Sequence, residues 1–286
     1  MATDSADGGG GRAEGRARVA LVGLVVVAAV VRVLAASDDL WVDELFSLRA
    51  AGLVRSPWEV FTAIHSDNNH YLNTLWMYFC GQAAGGMVYR LPAVVCGVAA
   101  VAAAYWSLMA RGVAERLMFA ALVAGSMLLV VYSSEARGYS GAMLAAIVAY
   151  GAARRWVWGR SAGMEILFAV ACVGGILSHL TFVFVWGALA VWIVAEVGRL
   201  RGWRAALGET ALLQAVPAVC LLVLYWMDLR FLEQLGGPKL GRGRVLGELM
   251  AWAFGWPGDW RWGGWVAGMA AVVLMVLGVA RERGRA

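Results

Sequence analysis

Charged side chains make up only 15% of this 286-residue chain, and they gather into no basic stripe. The net charge of +5 is spread over short loops, which excludes a nucleic-acid-binding surface. Cysteine is sparse as well. Cys80, Cys96, Cys172 and Cys220 lie in or beside apolar segments at spacings that match no zinc site, so they read as packing residues. The alternating pattern of a membrane β-barrel is missing, because long apolar runs take its place. No solenoid-type or inverted repeat is evident, and the one low-complexity run is the glycine stretch 8–11.

What remains is apolar. Hydrophobic residues make up 62% of the chain, and the mean hydropathy is +0.70. That composition implies an all-α, polytopic transmembrane helical bundle. Fifteen tryptophans fit interfacial anchors at both membrane surfaces. The Gly-, Ala- and Arg-rich segment 1–18 reads as a disordered cytosolic tail, and 19–286 as a single membrane domain. Arg12, Arg16 and Arg18 ahead of an apolar run ending in LAAS resemble a signal peptide cleaved at Ala36. The run 19–36 is long enough for a membrane helix, which favours an uncleaved anchor.

Eight spans are expected, at about 19–36, 88–110, 117–132, 139–153, 162–178, 180–197, 207–227 and 262–280. The apolar stretch 71–84 is ambiguous. Arginine clusters at 111 and 116, at 154, 155 and 160, at 199, 201 and 204, and at 281, 283 and 285 join the basic N-terminus on one side only if 71–84 does not cross. The positive-inside rule therefore makes 71–84 interfacial, with both termini cytosolic. The first outer loop then holds this one segment at the interface.

The outer face collects the polar chemistry. Asp43 and Glu44, in WVDELFSL, follow directly on the first apolar run, where carboxylates mark a membrane–water boundary. Neighbours on a helix point about 100° apart, so one of the two faces a given site, as a general base or a cation ligand. The alternative is a solvated helix start whose acids complement the helix dipole. HSDNNHYLNTLW at 65–76 offers Asn69 and His70 for substrate binding, with Asn68 and Asn69 as caps of the following helix. His65, Asp67 and His70 do not have the spacing of a known zinc site.

Arg90 in YRLP is either a snorkelling arginine or a phosphate clamp. SSEARGYS at 133–140 packs Glu135, Arg137 and Tyr139 into one outer turn, where Glu135 and Arg137 either pair with each other or join Asp43 in a shared site. His179 faces the same side. Arg242 and Arg244 sit with Lys239 in a glycine-rich outer loop against the positive-inside trend, a pattern that suits anionic ligands or headgroups.

In this order, the DE at 43–44, DNNHYLNTLW at 67–76, YRLPAVVCG at 89–97 and SSEARGY at 133–139 resemble the GT-C superfamily of membrane glycosyltransferases. The nearest branch is the protein O-mannosyltransferase-like and aminoarabinose-transferase-like group, over roughly residues 19–197. The resemblance implies a first outer loop that holds the catalytic carboxylate and two interfacial helices lying along the membrane, and a polyprenyl-phosphate sugar as donor. It also implies inverting transfer to a glycan, lipid or protein acceptor at the outer face of a plasma membrane, expected here to be bacterial. Two features depart from the group: many relatives carry HPP where this chain has NNHY, and the chain is short.

On this reading Asp43, with Glu44 close behind, takes the acceptor's proton, and Glu135 orients the acceptor or holds a cation. Arg90 and Arg137, helped by Arg242 or Arg244, meet the leaving phosphate, and Asn69, His70, Tyr139 and His179 bind substrate. The sequence specifies no cofactor, and a divalent cation stays open. The alternatives are a lipid or solute transporter, which would place ionisable groups near mid-membrane in repeated halves, and a non-catalytic membrane scaffold.

Overall fold

The computed structural model describes residues 7–109 and 111–232, and scattered helical positions between 243 and 277. Ten α-helices follow one another over the continuous part: α1 (Asp7–Ala35), α2 (Val42–Leu53), α3 (Tyr71–Cys80), α4 (Gly86–Ser107), α5 (Val113–Gly125), α6 (Met127–Tyr132), α7 (Tyr139–Gly159), α8 (Ala162–Ser178), α9 (Phe182–Arg201) and α10 (Trp203–Met227). No strand occurs among the described residues. The chain divides into two compact units, one of Met1–Gly125 with Val130–Leu235, the other of Ser126–Leu129 with Gly236–Ala286. The features below all lie in the first unit.

Four helical segments are long and apolar enough to cross a membrane: Ala13–Ala35, Gly86–Ser107, Phe182–Arg201 and Trp203–Phe231. They point to an integral membrane protein. The other expected spans fall short for visible reasons. The 117–132 run is cut at Ser126 into α5 and α6, α7 carries Arg154 and Arg155, and α8 has only 17 residues. The expected span 262–280 falls largely outside the described residues.

α1 begins at Asp7, inside the stretch expected to be a disordered tail. A tertiary contact explains the correction: Arg116 reaches Glu14 at 2.5 Å, and Ala17 is buried.

Polar contacts define two ends of this unit. At one, Arg116 meets Glu14, Arg155 donates to the Trp106 carbonyl at 2.8 Å, and Arg201 meets Glu209 at 2.8 Å. At the other, Arg90 donates to the Ala36 carbonyl at 3.0 Å, and Asn73 to that of Ala136 at 2.6 Å. The arginine clusters of 111–116, 154–160 and 199–204 thus share the first end, that of 281–285 lying outside the described residues, and the acids and histidines of the expected outer face share the second.

Between the ends, small residues let backbones approach, as membrane helices require when lipid offers no hydrophobic drive between them. Ala145, Ala149, Gly151, Ala152 and Ala153 supply most of the buried face of α7. Gly97 of α4 has no room for a Cβ, because Ser133 and Arg32 Nε fill that space. Arg32 is fully buried inside α1 and donates to the carbonyls of Ala28 (3.3 Å), Val123 (3.1 Å) and Ala124 (3.3 Å). The last two are carbonyls that the end of α5 leaves without helical partners, and a cation suits a helix C-terminus.

α2 and α3, of 12 and 10 residues, are too short to cross a bilayer. α3 docks on α4 through a local defect. Pro92 has no N–H to give the Val88 carbonyl four residues earlier, and the Trp76 indole N–H supplies that bond at 2.8 Å.

Candidate active site at the acidic end

Asp43 and Glu44 open α2 and diverge as helix neighbours must. Glu44, at the third helical position, turns inward and is fully buried. Its carboxylate accepts from the Trp41 N–H (2.6 Å), half of a capping box, and from the Ala136 N–H (2.5 Å). Arg90 grips the same carboxylate with Nε (2.9 Å) and Nη2 (2.6 Å). Its remaining donors go to the carbonyls of Ala36, Asp38 and Asp39. Arg90 is 1% exposed, and all its donors are engaged within the protein. Burial, the largest single effect, opposes the charge of Glu44. Hydrogen bonds from Arg90, Ala136 and Trp41 together outweigh it and hold the carboxyl below its ordinary value. The pair ties α1's end, α2, α4 and the 133–138 turn together. That engagement removes Glu44 from the candidate bases and Arg90 from the candidate phosphate clamps.

Asp43 points the other way. Its side chain is 53% exposed and meets Arg137 Nη1 at 3.0 Å. Arg137 also faces Glu135 at 3.9 Å, and Nη2 donates to Asn68 Oδ1 at 3.3 Å. Its Nε is buried without a partner, and its guanidinium lies 4.7 Å from the Tyr139 ring centre. Glu135 is 14% exposed, and burial pushes its carboxyl above the ordinary value. Arg137 opposes that shift, and the negative charge of Glu44 adds to it.

Beside this trio opens a cleft of about 550 Å³, lined among others by Asp43, Ser47, Arg49, Asp67, Asn69 and Thr74. A volume of this order suits a small-molecule site. Asn69 Oδ1, His70 Nε2, Asn73 Oδ1 and Thr74 Oγ1 are buried around this end with no partner. Buried polar atoms are nearly always paired, so this concentration is a mark of a site.

The 133–138 turn is clamped from three sides. Asn73 of α3 binds the Ala136 carbonyl, Glu44 binds its N–H, and Gly138 packs so tightly on Ser178 that a Cβ would overlap the Ser178 carbonyl oxygen. That contact draws the start of α7 against the end of α8. Tyr139 therefore sits 4.2 Å from the His179 ring and 5.7 Å from that of His70, and the two imidazoles are 4.6 Å apart. Tyr132 stacks on Tyr139 at 4.4 Å. Burial pushes His70 well below its ordinary value, with His179 and Arg137 adding to the effect. Burial and Arg137 push His179 down to about 4. Both rings are neutral at pH 7, and His179 Nδ1 accepts from the Thr181 N–H at 3.2 Å.

The expected caps of α3 are not formed. His70 is its N-cap residue, Asn69 donates to the Val60 and Ile64 carbonyls, and Asn68 donates to the Asp43 carbonyl and Ser47 Oγ. The loop's short polar side chains find backbone groups brought close by the fold rather than the helix start beside them. Asn69 still lines the cleft, and its Oδ1 is buried without a partner.

His65 pairs with buried Asp228 at 2.6 Å, and the Tyr71 hydroxyl donates to the same carboxylate at 2.5 Å. Sequence reasoning missed this link. Its only signal is an acid at the end of an apolar run. Among the described residues no three His, Cys, Asp or Glu side chains group as metal ligands. Arg242 and Arg244 lie outside the described residues.

The structure thus brings Asp43, Glu135, Arg137, His70, Tyr139 and His179 to one end, with Asn69 on the adjoining cleft. It sets Glu44 and Arg90 behind them as a buried support. The chain matches no family model, no characterised protein and no solved structure.

Proposed function

We propose that this protein is a membrane glycosyltransferase that moves a sugar from a polyprenyl-phosphate donor to an acceptor hydroxyl at the outer face of a bacterial plasma membrane, with inversion. The observation that carries the reading is the Asp43–Arg137–Glu135 arrangement, of which Asp43 lines the cleft: an exposed carboxylate and a carboxyl of raised pKa share one guanidinium. The ordered motif resemblance supplies the reaction class. α5 with α6, α7 and α8 join the four long helices as spans, and the undescribed C-terminal run adds another, giving about eight. α2 and α3 lie along the surface, and both termini are cytosolic.

The chemistry needs a base for the acceptor and a cation for the leaving group. As the acceptor oxygen bonds to the anomeric carbon, the bond from that carbon to the phosphate oxygen breaks, and its electron pair leaves with the phosphate. The acceptor's proton passes to Asp43, a step worth typically ~10²–10⁴-fold. Charge growing on the phosphate is met by Arg137, whose buried Nε lacks a partner and whose Nη2 makes a long bond to Asn68. Glu135 orients the acceptor. The neutral His70 and His179 rings with Tyr139 form a polar, aromatic wall for the sugar. Glu44 and Arg90 act as positioning residues: they hold α2 and the 133–138 turn so that Asp43 and Arg137 meet. Arg32 does not favour a transporter, because its charge is engaged by backbone carbonyls at a helix end.

The test is transfer of labelled sugar from a polyprenyl-phosphate donor by reconstituted wild-type and Asp43→Asn proteins. Transfer by wild type and its loss in the variant support the reading, and equal rates remove Asp43 from the mechanism. Mass spectrometry of lipids and glycans from cells with and without the protein identifies the acceptor class. An unchanged profile overturns the activity.

A further inference from the structure

A second cavity, of about 360 Å³, opens at the arginine-rich end, far along the helices from the acidic site. Trp156 and Arg160 at the end of α7, Glu165 and Ile166 on α8, and Glu209 and Leu212 on α10 line it. Its mouth is charged and balanced. Arg160 pairs with Glu209, Arg201 meets the same carboxylate at 2.8 Å, and Glu165 accepts from the Trp156 indole N–H at 2.7 Å. Two guanidinium groups thus stand with two carboxylates. Arg160 is 54% exposed, and it holds a left-handed backbone angle (φ 23°) that non-glycine residues rarely adopt.

The wall of the cavity is apolar and open to the surroundings. Ile166, Leu212 and Val216 are all exposed. Leu212 and Val216 share one face of α10 a turn apart, so this wall runs from the charged mouth along a helix that is long and apolar enough to cross a membrane. A balanced polar mouth above an apolar groove matches a molecule with a zwitterionic head and a hydrocarbon tail. An anionic head would meet the two carboxylates unfavourably, and a purely apolar ligand would leave the mouth unused.

We propose that this cavity binds a membrane phospholipid with a primary-amine zwitterionic headgroup. Its phosphate sits on Arg160, its ammonium donates to Glu165, and an acyl chain lies along Ile166, Leu212 and Val216. The site is independent of the glycosyl-transfer reading.

The experiment uses the full chain, delipidated in detergent and then offered phosphatidylethanolamine, phosphatidylcholine or phosphatidylglycerol, with retained lipid counted by native mass spectrometry. Phosphatidylethanolamine is retained about 10-fold more strongly than either of the others, a difference of ~1.4 kcal/mol. Choline has no N–H for Glu165, and glycerol has no positive charge. Glu165→Gln, which keeps an oxygen for Trp156, erases the preference over phosphatidylcholine. Ile166→Trp fills the groove from an exposed position and lowers retention about 10-fold, with the lipid-free melting temperature unchanged as the control for folding. Soluble phosphoethanolamine fails to displace the lipid, because the chain is needed. Equal retention of the three lipids, a preference for phosphatidylglycerol, unchanged retention in Ile166→Trp, or displacement by the soluble headgroup overturns the proposal.

Discussion

Glu44 meets Arg90 with no exposed surface, whereas Asp43, one residue earlier on α2, meets Arg137 with half of its side chain open. The first pair is bidentate, and every donor of Arg90 is used inside the protein. The second is a single contact at 3.0 Å on the edge of a cleft, and Arg137 keeps one buried N–H without a partner. Taking charges out of water is costly, and breaking such a pair is costlier still, so the buried pair is a structural joint. An open pair contributes little to stability and keeps its groups available to a ligand. Two acid–arginine contacts of similar composition differ in role because they differ in burial and in the number of unused donors.

The largest effect expected is on the closed pair. Glu44→Gln leaves Arg90 buried without its counter-charge and lowers stability by about 3–5 kcal/mol. Thermal unfolding in detergent checks it, and a shift no larger than that of Asp43→Asn would erase the distinction. Asp43→Asn changes stability by less than about 1 kcal/mol and lowers sugar transfer ~10²–10⁴-fold, read by melting and by labelled transfer on one preparation.

Next in size is the pH dependence of the neighbouring imidazoles. Folding holds His179 at about 4 and His70 well below the ordinary 6.5, so the unfolded chain binds more protons below pH 6.5. Stability therefore falls as pH drops from about 6.5 to about 4. His179→Gln flattens that decline in a melting series across the window. Glu44 has a lowered value and adds a loss at more acidic pH, below its unfolded value. Glu135, with a raised value, acts in the opposite direction, gaining stability as it is protonated. The smallest effect is Asn68→Ala, which removes the 3.3 Å support of Arg137 and the bonds to Asp43 and Ser47. It costs about 0.5–1.5 kcal/mol and slows transfer several-fold.

Much of this arrangement was legible in the residues. Apolar runs and arginine clusters separate the two ends, and the acids, histidines and SSEARGY turn fall together at one of them. The four long helices lie where the hydropathy places them. The division of labour between Asp43 and Glu44 was legible only as a 100° divergence. Which of them turns inward depends on Arg90 and on the Ala136 N–H, 46 and 92 residues away. The helical start of α1 was hidden because it rests on Arg116, and the caps expected for α3 were lost to carbonyls of the preceding loop.

Composition, hydropathy and charge alone determined a helical membrane protein with its acids and histidines gathered at one end, because apolar length and charge asymmetry are local quantities that each segment carries by itself. Tertiary structure decided which carboxylate is locked and which is open, that His65 answers to Asp228, and that a balanced, charged cavity faces the opposite end. Those outcomes depend on partners distant in the chain. The energy of a buried charge is set by what surrounds it, and no segment carries that information alone.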